Sequence, residues 1–265
     1  MKLQIFSDLH TDVAKTKPIK IADDVDAVIV AGDVCEGVEK AFRTLRTIVP
    51  GAIPILFVAG NHEFYRRFIR DEIARARELA SSFHIFFLER DTVLLNGVFF
   101  AGCTLWTDYC IFGKSNQAAV MNACARGMND HRLIGWQRQP WLRFRPQEAA
   151  LLHHQSREFL SEALATASDK PTVVIVHHGV HENSIHPRYL TDPLSGAFTS
   201  SVDVIQSAQP DLVVHGHVHH SLDYRIGTAD YRIGTTRKTR VVCNPYGYGD
   251  ENPDFDGALV VEVGS

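Results

Sequence analysis

Five short apolar runs, each broken off by Asp, Asn or His, constrain what this chain can fold into more than any other feature of it. They are Leu3 to Phe6 before Ser7-Asp8-Leu9-His10, Ala27 to Ala31 before Gly32-Asp33, and Ile53 to Val58 before Gly60-Asn61-His62-Glu63. The other two are Pro171 to Val176 before His177-His178-Gly179, and Leu212 to Val214 before His215-Gly216-His217-Val218-His219. Continuous apolar runs of this length are the pattern of strands buried on both faces. Polar residues of one kind at every strand end point to a shared site, and Gly216 lets the backbone approach a bound ion closely.

The remaining periodicity fills in an α/β chain. Val38, Phe42, Leu45 and Val49 share one face of a predicted helix over Glu36 to Val49, stopped by Pro50-Gly51. Residues 66 to 82 read as a second, largely solvated helix. Strands are expected over His84 to Leu88, Thr92 to Leu95 and Val98 to Gly102, the last two joined by the hairpin pair Asn96-Gly97. A further helix is expected over Glu148 to Ala167, with His153 and His154 on its surface, and strands over Arg240 to Cys243 and Ala258 to Val263. Between 106 and 147 the periodicity fails. Lys114, Arg126, Arg132, Arg138, Arg143 and Arg145 meet few acids there and alternate with aromatics, as in a cap over a site. Asp223 to Ala229 is followed by a near copy, Asp230 to Thr236; seven residues is an odd insertion, so one copy is expected in a hairpin tip.

Composition narrows the class. A chain of 265 residues, 45% hydrophobic, can build one large core, read here as a single domain over 1–265 with a cap-like insertion at about 106–147. A net charge of -4 argues against a global attraction to long nucleic acid or anionic lipid. Five cysteines without a C-x-x-C pair suggest neither a disulfide framework nor a structural zinc site, so a cytoplasmic protein is expected. The start lacks a signal-peptide pattern, and no run approaches the roughly 18 apolar residues of a membrane span.

Collected together, the strand ends carry Asp8, His10, Asp33, Asn61, His62, His177, His217 and His219. Imidazoles, carboxylates and an amide without thiolate suit Mn, Fe, Zn or Ni. There are too many for one ion; two divalent ions sharing a carboxylate account for them. A P-loop, a serine elbow and a dinucleotide fingerprint are absent from the sequence.

The order D-x-H, G-D, G-N-H-E, H and G-H-x-H, running from Asp8 to His219, resembles the calcineurin-like metallophosphoesterase superfamily. That resemblance implies a four-layer α/β/β/α sandwich of two mixed sheets with the site on loops at strand ends. It also implies one metal on Asp8, His10, Asp33 and His219 and a second on Asp33, Asn61, His177 and His217. The implied activity is hydrolysis of a phosphomonoester or phosphodiester by in-line attack of a metal-bridging hydroxide. His62, next to Asn61, is the candidate general acid. Gly179-Val180 stands where the family often has proline, and His178 is the alternative to His177. Glu63 and Asp12 are candidate orienting groups, His215 a supporting residue, and His181, His186 and His220 candidate pocket residues; Cys35 reads as a packed side chain. The expected partner is a small phosphorylated substrate, with the arginines and aromatics of 106–147 favouring a nucleotide-like one. The alternative is a binding protein that holds metals structurally and presents that segment to a partner.

Overall fold

A computed structural model describes residues 1–167, 169–227 and 238–264. Strands β1 (Lys2–Phe6), β2 (Ala27–Val30), β3 (Ile55–Phe57) and β4 (Ile85–Phe87) pair in parallel, in chain order. Helix α1 (Val38–Ile48) returns the chain from β2 to β3, and α2 (Ile69–Leu79) from β3 to β4. Helix α1 buries Val38, Ala41, Phe42 and Leu45 on one face. The charged second helix begins three residues later than its pattern suggests and tightens into a 3-10 turn over Ala80–Phe83.

The chain then changes sheet. Strands β5 (Asp91–Leu95) and β6 (Val98–Cys103) form the expected hairpin, with Asn96 at φ 50° and Gly97 at φ 80°. Helices α3 (Gln117–Gly127) and α4 (Asp130–Leu133) and the small pair β7 (Gly135–Gln137) and β8 (Leu142–Arg143) occupy the aperiodic segment. Helix α5 (Pro146–Thr166), β9 (Thr172–Val176), α6 (Asp203–Ala208) and β10 (Leu212–His215) follow. Strands β11 (Leu222–Ile226) and β12 (Thr239–Cys243) complete a six-stranded sheet ordered β11-β12-β10-β9-β6-β5, and β13 (Val260–Glu262) returns to the first sheet, antiparallel to β1.

Side-chain alternation along these strands builds the layers. Ile29 and Ala31 face Phe100, Val173, Ile175 and Val214 across the gap between the sheets. Val28 and Val30 point the other way, against Phe42 and Leu45 of α1. On the far side Val174, Val176 and Val213 pack on Leu160 and Ala163 of α5 and Ile205 of α6. Each of the larger buried side chains among these contributes roughly 1.5–3 kcal/mol. The result is the four-layer sandwich of two mixed sheets that the family resemblance implies. Among the described residues no helix is long and apolar enough to cross a membrane.

Some expectations are corrected. His153 is buried rather than on the surface, its Nδ1 3.1 Å from the Trp106 carbonyl oxygen, because α5 packs on two sides; His154 is exposed as expected. Three of the arginines of 106–147 are not gathered over a site. Arg138 pairs with Asp71, Arg145 with Glu148, and Arg143 lies over the Trp141 ring. The first repeat copy supplies β11, while the second, at 230–236, lies outside the described residues.

Candidate metal centre

Parallel pairing in both sheets brings the ends of β1, β2, β3, β9, β10 and β12 to one rim, where the two sheets are stitched together. Ser7 bridges to Pro245, and the His217 N–H donates to both Asp8 carboxylate oxygens at 3.0 and 3.1 Å. Asp8 also accepts from the Ser7 hydroxyl. The chain turns so sharply at this rim that Asp8, His10, Asp33, His217 and His219 all adopt positive φ, between 43° and 70°. Left-handed backbone is uncommon outside glycine and costs roughly 1–2 kcal/mol per residue. Five of the seven predicted ligands carry that strain, a concentration typical of functional sites.

Those turns converge seven donor groups. His10 Nε2 lies 3.0 Å from His219 Nε2, and His219 Nε2 is 3.4 Å from Asp8 Oδ1. His177 Nε2 lies 3.0 Å from Asn61 Oδ1 and 3.1 Å from His217 Nδ1. Between these halves stands Asp33, whose Oδ2 is 3.8 Å from His10 Nε2 and 3.5 Å from His177 Nε2. Asp8, His10 and His219 form one group able to hold an ion, and Asp33, His177 and His217 another; His10, Asp33 and His62 form a third, overlapping set.

Electrostatics shows why a cation fits. Burial alone would raise both carboxyls, but the hydrogen bond and charge of His219 hold Asp8 low, and His177 first among the neighbouring imidazoles holds Asp33 well below the usual range. Burial opposes protonation of His177 and His219, yet Asp33 lifts the first to about 9, and Asp8 with Glu251 lifts the second to about 10. Burial dominates at His10, pushed down to about 4, and at His217, pushed well down. Ring protons thus balance the carboxylates where no ion is bound. Pairs of imidazole nitrogens at 3.0–3.1 Å need a proton or a cation between them. Divalent ions replace such protons on binding, and this nitrogen and oxygen donor set suits them.

Surrounding groups fix the donors. The His177 Nδ1–H donates to the Ala31 carbonyl oxygen at 2.7 Å, which turns its Nε2 lone pair inward, and His219 Nδ1 is held by Glu251 at 2.8 Å. Asn61 is oriented by its amide nitrogen, which donates to Asp130 Oδ1 at 2.9 Å; the Tyr65 hydroxyl donates to the same oxygen at 2.9 Å. Glu63 is fully buried and accepts from the N–H groups of Asp33, Val34 and Gly60 at 2.9, 2.7 and 2.7 Å. It locks the loops of Asp33 and Gly60 together, although burial and the Asp33 charge push its carboxyl up to about 8. Gly60 is required here, since a Cβ would meet the Asp33 carboxylate and lie 2.6 Å from His177 Cε1.

The other candidates separate. His178 stays outside the donor groups, with Nδ1 3.0 Å from the Thr104 carbonyl oxygen and its ring between those of Trp106 and His217. His215 is a supporting residue, 2.9 Å from the Ser184 hydroxyl. Asp12 accepts from the Glu36 N–H at 3.2 Å and so ties the loop after β1 to the loop after β2. Cys35 is packed in the core beside α1. His186 and His220 line an adjacent cavity of about 340 Å³, whereas His181 does not. His62 is at the cavity wall, with Nε2 3.0 Å from the Tyr248 hydroxyl and Nδ1 enclosed. Sequence reasoning missed Asp130, Tyr65, Tyr248 and Glu251. The last two sit on the loop between β12 and β13, which β12 brings to the rim by lying parallel to β10.

Residues 1–221 match the family model described as calcineurin-like phosphoesterase. A comparison with curated proteins finds no match. Among solved structures, a phosphopantetheinyl hydrolase from Mycobacterium tuberculosis is similar at a TM-score of 0.64 and 18% identity, over 94% of this chain and 90% of its own. A putative 5′-nucleotidase from Staphylococcus aureus is similar at 0.51 and 14% identity, over 91% of this chain and 48% of its own. This chain therefore spans about half the length of the second protein. At such identities the likeness is one of fold.

Proposed function

Because the chain belongs to the calcineurin-like phosphoesterase family, we propose that it is a dinuclear metal-dependent phosphoesterase acting on a small phosphomonoester or phosphodiester. One observation carries the reading: Asp33 Oδ2 stands within 4 Å of imidazole nitrogens from both donor groups, as a shared carboxylate must. Asp8, His10, Asp33 and His219 would hold one divalent ion, and Asp33, Asn61, His177 and His217 the other. When bound, the two ions supply positive charge for the phosphoryl oxygens and acidify the attacking water.

The chain's own residues do the rest. Asp8 and Asp33 return two negative charges to the site, leaving it attractive to a phosphoryl dianion. The buried backbone around Glu63 keeps the donors from shifting as charge moves during the reaction. His62 holds the proton for the leaving oxygen at Nε2, since Nδ1 is enclosed. Burial and the nearby Asp33 charge raise the Tyr248 phenol, so Tyr248 stays neutral and aims that nitrogen at the cavity without taking its proton. Residues 127–129 form part of the cavity wall, and in this role 106–147 acts as a cap-like insertion in a single domain.

The test is hydrolysis of aryl phosphate mono- and diesters by the purified protein with Mn²⁺. Activity should vanish with chelator and in Asp33→Asn; activity that survives both overturns the reading. His62→Ala should retain metal and lose rate mainly on esters with poor leaving groups, and an equal loss on good and poor ones removes His62 as the acid.

A further inference from the structure

The cavity beside the donor groups is unevenly charged. Among the described residues no lysine or arginine lines it, and the ionisable side chains away from Asp33 and the histidines that form its floor include two acids, Asp192 and Glu251. Both are held in place, Asp192 by the Leu194 N–H at 2.8 Å and Glu251 by His219 and the Tyr248 N–H. Met128, Ile185, Leu194 and Val218 give the walls an apolar character. Asn129, His186 and His220 add hydrogen-bonding groups. Two cations stand outside the lining: Arg132 donates to Asn129 Oδ1 at 2.5 Å, and Arg188 lies over the Tyr189 ring. A volume of about 340 Å³ suits a small molecule and not a polymer.

We infer that the part of the substrate beyond the scissile phosphoryl group is small and uncharged, an alcohol bearing hydroxyl, amide or apolar groups but no second phosphate or carboxylate. This inference rests on the phosphoesterase reading and sharpens it. A second anion in this cavity would face Asp192 and Glu251 with no lysine or arginine in the described lining to receive it, and an unpaired charge out of water is strongly disfavoured. Monoesters of neutral alcohols, including nucleosides, satisfy the lining; sugar bisphosphates, nucleoside di- and triphosphates and phosphorylated acids do not.

The discriminating pair is propane-1,2-diol 1-phosphate and 3-phosphoglycerate, which share a primary phosphate and differ by a methyl against a carboxylate. With the Mn²⁺-loaded protein, kcat/KM should favour the diol ester by about tenfold or more. Calorimetric titration with the matching non-hydrolysable phosphonates should give the same order of affinity, and Leu194→Arg should narrow the difference. Equal or reversed preference by a protein that hydrolyses aryl phosphate overturns this inference and leaves the phosphoesterase reading intact. Failure to hydrolyse aryl phosphate or either ester overturns both.

Discussion

At pH 9, above the value of about 8 to which Glu63 is raised, Glu63→Gln removes one charge and no volume, yet it should weaken the rim more than most surface substitutions. The Glu63 carboxylate receives the Asp33 and Gly60 N–H groups on one oxygen and the Val34 N–H on the other, with the Cys35 N–H more distant at 3.4 Å. A glutamine has one oxygen to offer, so its NH₂ must confront either the first pair or Val34. The cheaper rotamer abandons Val34, leaving a buried donor unsatisfied at about 1–3 kcal/mol. The two bonds that remain lose their charge assistance, a further cost of about 1 kcal/mol. Glutamine also removes the repulsion that pushes Glu63 up beside Asp33, which offsets part of the loss while Asp33 has no cation. The net is about 2–3 kcal/mol for the ion-free protein and more once Mn²⁺ neutralises Asp33. At about 2–4 °C per kcal/mol for a chain of this size, Tm should fall by about 4–12 °C. Scanning calorimetry with and without Mn²⁺ reads both numbers. A variant within 1 °C of the parent in both conditions would refute the locking role of Glu63.

Three further outcomes follow from the same geometry. Asp130→Ala frees the Asn61 amide and should lower affinity at one of two Mn²⁺ sites by about 10–100-fold while sparing the other; equal loss at both, by titration, would mean general disruption. Gly216→Ala puts a Cβ 2.5 Å from Asp8 Oδ2 and 2.8 Å from the Ser7 hydroxyl, so it should cost about 1–3 kcal/mol in denaturant unfolding and weaken metal binding. His177 and His219, lifted to about 9 and about 10, both carry protons at pH 7.5 in the ion-free protein, so metal binding should release about two protons and weaken as pH falls. Calorimetry in buffers of different ionisation enthalpy measures that release, and a value near zero would contradict it.

The donor residues were legible because each ends a run whose apolarity already marks a buried strand. Asp8, Asp33 and Asn61 taken singly are ordinary turn residues; order and the accompanying histidines gave them weight. Asp130 was not legible, because an aspartate at the start of a short helix in an aperiodic stretch has no sequence mark that separates it from a cap. Tyr248 and Glu251 were hidden for a different reason. They lie about thirty residues past the His217 turn, and only the β10–β12 pairing returns them to the rim. The 106–147 arginines misled because clustering along the chain was read as clustering in space, whereas their partners come from α2, α5 and local aromatics.

Asp8, His10, Asp33 and Asn61 leave the first sheet, whereas His177, His217 and His219 leave the second. Any ion bound by either donor set is therefore a rivet through the sandwich, tying two sheets whose packing away from the rim is apolar. A slip of one sheet over the other by a fraction of an ångström would be tolerated by those methyl groups but not by a coordination shell. Repacking at Phe100 or Val173, between the sheets and away from the rim, would accordingly be read out at the rim as altered metal affinity.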